Sequence, residues 1–248
     1  MRRFATALLF LGLLFGHLPA SASSLTVVAD GWPPFSGEAS PNKGLSLDVI
    51  RSVLERAGYQ VEVAVIPWAR IMDGARKGSF DVVGSLFLTE NLKPHVTYSE
   101  PYYTTEVNFL RRVGARQTFA KPNDLRPFSI AVGDGFHHSE EFDSADYLNK
   151  VVVTTTLQSV QMVAHERVEL TLDSAEVIHH ALEREDPSLQ GMVEFLPKPL
   201  ASRGIHMAVR NDLPMRDKVI ADFNRTLGEM RKDGSFAALL ANHSLGTQ

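Results

Sequence analysis

Two stretches of this chain alternate short apolar runs with helically spaced apolar residues. That alternation restricts the fold more than any other feature. Leu25 to Ala29 reads as a buried strand, broken by Asp30-Gly31-Trp32-Pro33-Pro34. From Gly44 to Gly58, Leu47, Ile50, Val53, Leu54 and Ala57 fall at helical spacing. Val61 to Ile66 alternates like a strand; Pro67 opens a helix through Ile71 to Ala75, which Gly78 closes. Phe80 to Gly84 is a third strand. The order strand–helix–strand–helix–strand predicts a parallel sheet with helices on its faces.

The layout then recurs. Phe128 to Val132 reads as a strand followed by the turn Gly133-Asp134-Gly135, and Ser139 to Leu148 as a helix. Val151 to Val153, Ser159 to Ala164 and Val168 to Leu172 continue as strand, helix and strand. The chain ends in a helix spaced on Val219, Ile220, Phe223, Leu227 and Met230, stopped by Gly234, with a second from Phe236 to Leu240. Two such α/β units predict a bilobed protein. Open parallel sheets bind ligands at the carboxyl ends of their strands, and a cleft between domains is a favoured small-molecule site.

The N-terminus is of a different kind. Met1-Arg2-Arg3, an apolar run from Phe4 to Leu18 and the small residues Ala20 and Ala22 predict a cleavable secretory signal peptide over residues 1–22. The run is shorter than the ~20 residues of a membrane span. About 225 residues remain, enough to bury a core without staples. The chain has no cysteine, which excludes disulfides, thiolate metal sites, a cysteine nucleophile and a lipid-modified cysteine. Without Arg2 and Arg3, the 25 Lys+Arg become 23 against 29 Asp+Glu, a net of −6. A mildly acidic chain with no basic run does not fit nucleic-acid binding. No cofactor is expected, and the mature chain is expected to be a periplasmic monomer that does not insert into a membrane.

Trp32-Pro33-Pro34-Phe35, Gly44 to Ile50, Gly78-Ser79-Phe80-Asp81-Val82, Thr89, Tyr98-Ser99-Glu100-Pro101-Tyr102, Asp124-Leu125, Gly133 to Gly135, Arg167-Val168-Glu169 and Glu229 to Phe236 follow one another in an order that resembles the bacterial family 3 solute-binding proteins, the periplasmic receptors of polar amino-acid ABC transporters. The resemblance covers nearly the whole mature chain. It implies an α/β, type II periplasmic binding protein fold. Lobe 1 would comprise 23–105 plus 204–248 and lobe 2 106–203, with crossovers near Thr104 to Glu106 and Ala201 to Gly204. It implies hinge closure on the ligand, for which periplasmic binding proteins are a standing example, and delivery to an ABC permease.

The same resemblance assigns a cleft. Trp32 and Trp68 would wall a pocket able to sandwich a flat, apolar or cationic group. Arg70 could turn its planar guanidinium to a carboxylate. Gly84, Ser85 and Thr89 would line the lobe 1 side. Members that bind amino acids carry an arginine three residues after this threonine to clamp the α-carboxylate; here that residue is Leu92. Phe87 replaces a small hydroxyl residue, and Phe136 and His137 stand where two hydroxyl residues usually hold the carboxylate. Asp173 is the expected partner for a ligand ammonium, with Ser174 as the alternative just past the strand. His137-His138 with Glu140 and Glu141, and His179-His180, match no metal spacing, so no metal site is expected. The departures predict a ligand that is not an ordinary polar α-amino acid: a more aromatic or cationic compound, or one whose acid reaches Arg70.

Three functions compete: a non-enzymatic receptor for a small solute, a sensing module docking on a separate signalling receptor, and a periplasmic dehydratase-like enzyme. The last needs a poised acid. Glu90, Glu106 and Asp173 are near in sequence, but none has a recognisable catalytic setting.

Overall fold

The computed structural model describes residues 23–243; the expected signal peptide, residues 1–22, lies outside them. The first unit forms as its spacing predicts. β1 (Ser24–Ala29), α1 (Leu45–Arg56), β2 (Gln60–Val65), α2 (Trp68–Lys77) and β3 (Val82–Phe87) alternate, and β2, β1 and β3 pair in parallel. Both sheet faces are covered. Leu25, Val27 and Ala29 pack with Leu47, Ile50 and Leu54 of α1 on one side, while Val28 packs with Ile71 and Ala75 of α2 on the other. Gly44 precedes α1 at φ 97, and a Cβ there would sit 2.6 Å from the Phe35 carbonyl oxygen, so the loop carrying Trp32 folds back onto the helix only with glycine at this point.

β4 (Val96–Tyr98) follows, then β5 (Tyr103–Arg112). The second unit comprises β6 (Ser129–Gly133), α3 (Glu140–Asp143), β7 (Asn149–Val153), α4 (Thr156–Ala164), β8 (Leu170–Ser174) and α5 (Ala175–His180), then β9 (Val193–Phe195). β8, β6 and β7 are parallel. Here too both faces are buried: Ile130 and Leu172 on one, Ala131, Val160 and Val163 on the other. β10 (Ala201–Arg210), α6 (Arg216–Asp233) and α7 (Ser235–Ala241) return to the first unit, where Phe223 and Leu227 enter the α1 core.

The connection between the units is a feature that periodicity did not reveal. The strand order is β2-β1-β3-β10-β5-β8-β6-β7, a continuous curled sheet. β10 pairs antiparallel with β3 along Ile205 to Val209, and β5 with β8 along Val107 to Arg111. Between those stretches β5 and β10 pair with each other, Thr104 opposite Gly204 and Thr105 opposite Arg203. Each strand therefore starts in one half and ends in the other. Glu176 of α5 braces this crossing, accepting hydrogen bonds from Tyr103 Oη (3.0 Å) and from Thr105 Oγ1.

Three predicted elements differ. The strand expected over Phe80 to Gly84 is shifted along the chain to Val82–Phe87. The helix expected over Ser139 to Leu148 is the single turn α3. Ser139 caps it by accepting from the Phe142 amide, but Ser144 Oγ donates to the Glu140 carbonyl (2.7 Å), a side-chain bond that competes with helix propagation. The strand expected over Val168 to Leu172 is shifted, and Asp173 and Ser174 lie inside β8.

Candidate functional site

A cavity of about 70 Å³ lies where the carboxyl ends of β1 and β3 face the loop after β6 and the end of β8. Trp32 is only 8% exposed. Its ring packs on Phe35 at 4.7 Å and meets Phe87 edge-on at 5.3 Å. Its Nε1 donates across the cleft to Asp173 Oδ1 at 3.2 Å. The other wall is Trp68, the first residue of α2, whose indole lies against Gly135. Gly135 has φ 70, and a Cβ there would come within 3.2 Å of the Trp68 ring; the turn after β6 needs glycine both for its backbone and for this close approach.

Asp173 is 5% exposed and well supplied with donors. Besides the Trp32 indole, Oδ1 accepts from the Ser174 amide (2.7 Å) and Oδ2 from Thr156 Oγ1 (2.5 Å). Burial nevertheless pushes its pKa up, with the Thr156 hydroxyl, the neighbouring His138 and the other donors opposing. Asp30, at the carboxyl end of β1, also lines the cavity, and burial raises its carboxyl against bonds from the Gly31 and Trp68 amides. Its backbone oxygen holds Ser36 Oγ at 2.6 Å, and Ser36 continues to Ser85 and Ser46 through hydroxyl contacts of 3.2 Å. Ser85 sits at φ 60, a left-handed conformation that is strained for a serine.

Leu92 also lines the cavity. It is 5% exposed and packs with Val28, Ile71, Leu86, Val96 and Trp68. The adjacent Lys93 turns to Glu90 at 2.6 Å on the surface. No arginine or lysine is among the described residues that line the cavity. His137 and His138 complete it. His137 Nε2 meets Asn91 Nδ2 across the cleft at 3.3 Å, and both rings face Asp143 at 3.6 and 3.5 Å. Burial of Asp143 is outweighed by its bonds from these histidines, which hold the carboxyl well below the ordinary range. A broader groove opens beyond Trp32 and Phe136, which line both spaces.

Of the residues read from the sequence, Trp32, Trp68, Ser85, Phe87, Thr89, Phe136, His137 and Asp173 come together around this cavity. Two do not. Arg70 lies in a separate surface depression with Thr26, Glu62 and Asp73. Two steps along a helix rotate a side chain by ~200°, so Trp68 in the cleft puts Arg70 on the opposite side. Gly84 faces α1 instead: a Cβ there would meet Ile50 Cδ1 at 2.7 Å. Sequence reasoning passed over Asp30 as a strand breaker, though its place at the end of β1 was a usable signal. It weighed His138 as a metal ligand and preferred a solvated residue at a helix start, whereas His138 is buried against the cavity. Ser174 Oγ is buried without a hydrogen-bond partner among the described residues.

The sequence matches the bacterial extracellular solute-binding proteins, family 3, over residues 25–246. The chain belongs to that family and is a ligand-binding receptor with its type II periplasmic binding protein fold. It is similar to an ancestral arginine-binding protein bound to arginine (20% identity, 90% of this chain and 99% of that one, TM-score 0.74). It is also similar to an arginine third transport system periplasmic binding protein from Legionella pneumophila (20%, 90% and 100%, TM-score 0.71). A histidine kinase sensor domain with similarity to periplasmic binding proteins superposes as well (18%, 91% and 97%, TM-score 0.73). At these identities the solved structures establish the fold. Among the described residues no helix is long and apolar enough to cross a membrane.

Proposed function

We propose that this chain is a non-enzymatic, monomeric periplasmic receptor that closes on a small organic cation lacking a free carboxylate and passes it to an ABC permease. The observation that carries this reading is the chemistry of the cavity: two carboxylates, Asp30 and Asp173, four aromatic walls, and no arginine or lysine among the described lining residues. A carboxylate drawn into such a site would lose its hydration with no cation to replace it, which costs several kcal/mol, on the order of 2–5. An ammonium finds both countercharges and ring faces. In this reading Asp173 and Asp30 take the cation, Trp32, Trp68, Phe87 and Phe136 take its body, and Ser85, Thr89 and His137 set its orientation. Arg70 and Gly84 have no part in it, which removes the option of an acid reaching Arg70. Glu90 is paired on the surface and Glu106 is exposed, so neither serves as a cleft acid for the dehydratase alternative.

Lobe 1 (23–105 with 204–248) and lobe 2 (106–203) would rotate about the β5–β10 crossing. The pairing of Thr104 with Gly204 supports that division. The cavity is about half the ~150 Å³ that holds a benzene, so a larger guest requires opening. Residues 1–22 would direct export and be cleaved. The test is a thermal-shift panel of agmatine and phenethylamine beside L-arginine, L-phenylalanine and L-glutamine. The amines raise the midpoint and the amino acids do not; a strong, stereoselective rise with L-glutamine alone contradicts the reading. The likeness to a histidine kinase sensor domain favours a second role, sensing. Deleting the gene separates the two: lost uptake of the amine supports transport, and intact uptake with a lost transcriptional response supports sensing.

A further inference from the structure

Behind the Phe87 wall lies a cation that the cavity does not touch. Arg203 sits in the β5–β10 crossing, opposite Thr105. Its guanidinium lies 4.8 Å from the Phe87 ring centroid. Nη1 donates to the His138 carbonyl at 2.6 Å and Nη2 to the Leu88 carbonyl at 3.0 Å. Phe87 lines the cavity and Arg203 does not. No carboxylate among the described residues comes within ion-pairing distance of Arg203, and two bonds leave a guanidinium with three N–H donors to spare. Arg203 is half-buried, and its charge is balanced by carbonyl dipoles and the more distant Asp143. A half-buried charge without a counter-ion attracts an anion that can reach it.

We infer that Phe87 shields Arg203 from the cavity and is the residue that makes the cleft refuse carboxylates, so that a small side chain at position 87 would uncover an acid-binding subsite at Arg203. The ring does two things at once. It occupies the space between cavity and guanidinium, and it accepts the cation on its π face, so the shield is held by what it hides. A serine at position 87 would remove both effects and leave Arg203 donors beside Thr89, whose amide lies 3.4 Å from Tyr98 Oη. The inference rests on the amine-receptor reading, and its test separates the two.

Affinities for two matched pairs, agmatine with L-arginine and phenethylamine with L-phenylalanine, isolate the carboxylate, because each amine is its amino acid without the acid. In Phe87→Ser the acid-to-amine affinity ratio rises roughly 10- to 100-fold, the worth of charge-assisted bonds in a closed site. Phe87→Leu refills the space and keeps the wild-type ratio. Phe87→Ser with Arg203→Met returns to it. Arg203→Met alone also leaves the ratio unchanged, a result that stands even if Phe87→Ser does not fold. An unmoved ratio in folded Phe87→Ser, a gain that survives Arg203→Met, or a selective loss of acid binding in Arg203→Met alone overturns the inference. If the unmodified protein binds neither amine while Phe87→Ser gains L-arginine, the receptor reading fails and the shield stands.

Discussion

Asp173 and Leu92 are equally buried, each 5% exposed on the same cavity, yet their surroundings are opposite. Around Asp173 three donors converge on one carboxylate. Leu92 belongs instead to an apolar cluster with Val28, Ile71, Leu86 and Val96, against which Trp68 packs. Burial alone therefore does not decide what a position in this cleft can bind; the sign of the charge that its neighbours can balance does. One region holds a buried carboxylate, which we propose faces a cation. The other presents apolar side chains to an anion, while the Arg203 guanidinium lies against the Phe87 ring and does not line the cavity.

The most forceful way to break this contrast is Leu92→Arg. A guanidinium placed among those apolar side chains lowers the stability of the unliganded protein by about 3–5 kcal/mol, read from denaturant unfolding. An acid-bearing ligand restores part of that loss in proportion to its binding. Asp173→Asn attacks the other region. It weakens amine binding by about 2–5 kcal/mol, measured by titration. Trp32→Phe keeps a ring but removes the indole donor, and lowers stability by about 1.5–3 kcal/mol, the range for a hydrogen bond to a charged group.

A pH titration sharpens the contrast with less force. Burial raises both Asp30 and Asp173 above the ordinary aspartate value of 3.8. In the free protein they therefore take up protons at a higher pH than an exposed aspartate, and an ammonium requires them ionised. Amine affinity falls on acidification, and the fall begins above pH 3.8. Stability shows the converse: the contribution of these two groups is fully present below the ordinary value and is lost as pH rises through their raised pKa values. The smallest effect is that of Arg70→Ala, which leaves amine binding within about 0.5 kcal/mol of the unmodified protein.

The frame was legible because its physics is local. Leu25 to Ala29 and the α1 positions Leu47, Ile50, Val53 and Leu54 carry their burial in their spacing. β5 and β10 were not read as strands, because each passes from one half to the other and its burial follows no single period. The cleft was legible wherever the backbone dictates direction. Trp32 after β1, Thr89 after β3 and Asp173 on β8 all face the cavity. Arg70 was not, since its direction depends on which residue of α2 enters the cleft. Arg203 was invisible for a different reason: its place against Phe87 is made by the pairing of β10 with β3, Ile205 opposite Phe87, between residues far apart in the chain, and no local pattern encodes that.

The account stands most directly on the affinity of the unmodified protein for agmatine against that for L-arginine, measured by calorimetry in one buffer at neutral pH. Agmatine is predicted to bind at least roughly 30-fold more tightly, the lower end of the cost of an unpaired carboxylate. Equal affinities, or a preference for L-arginine, would contradict it.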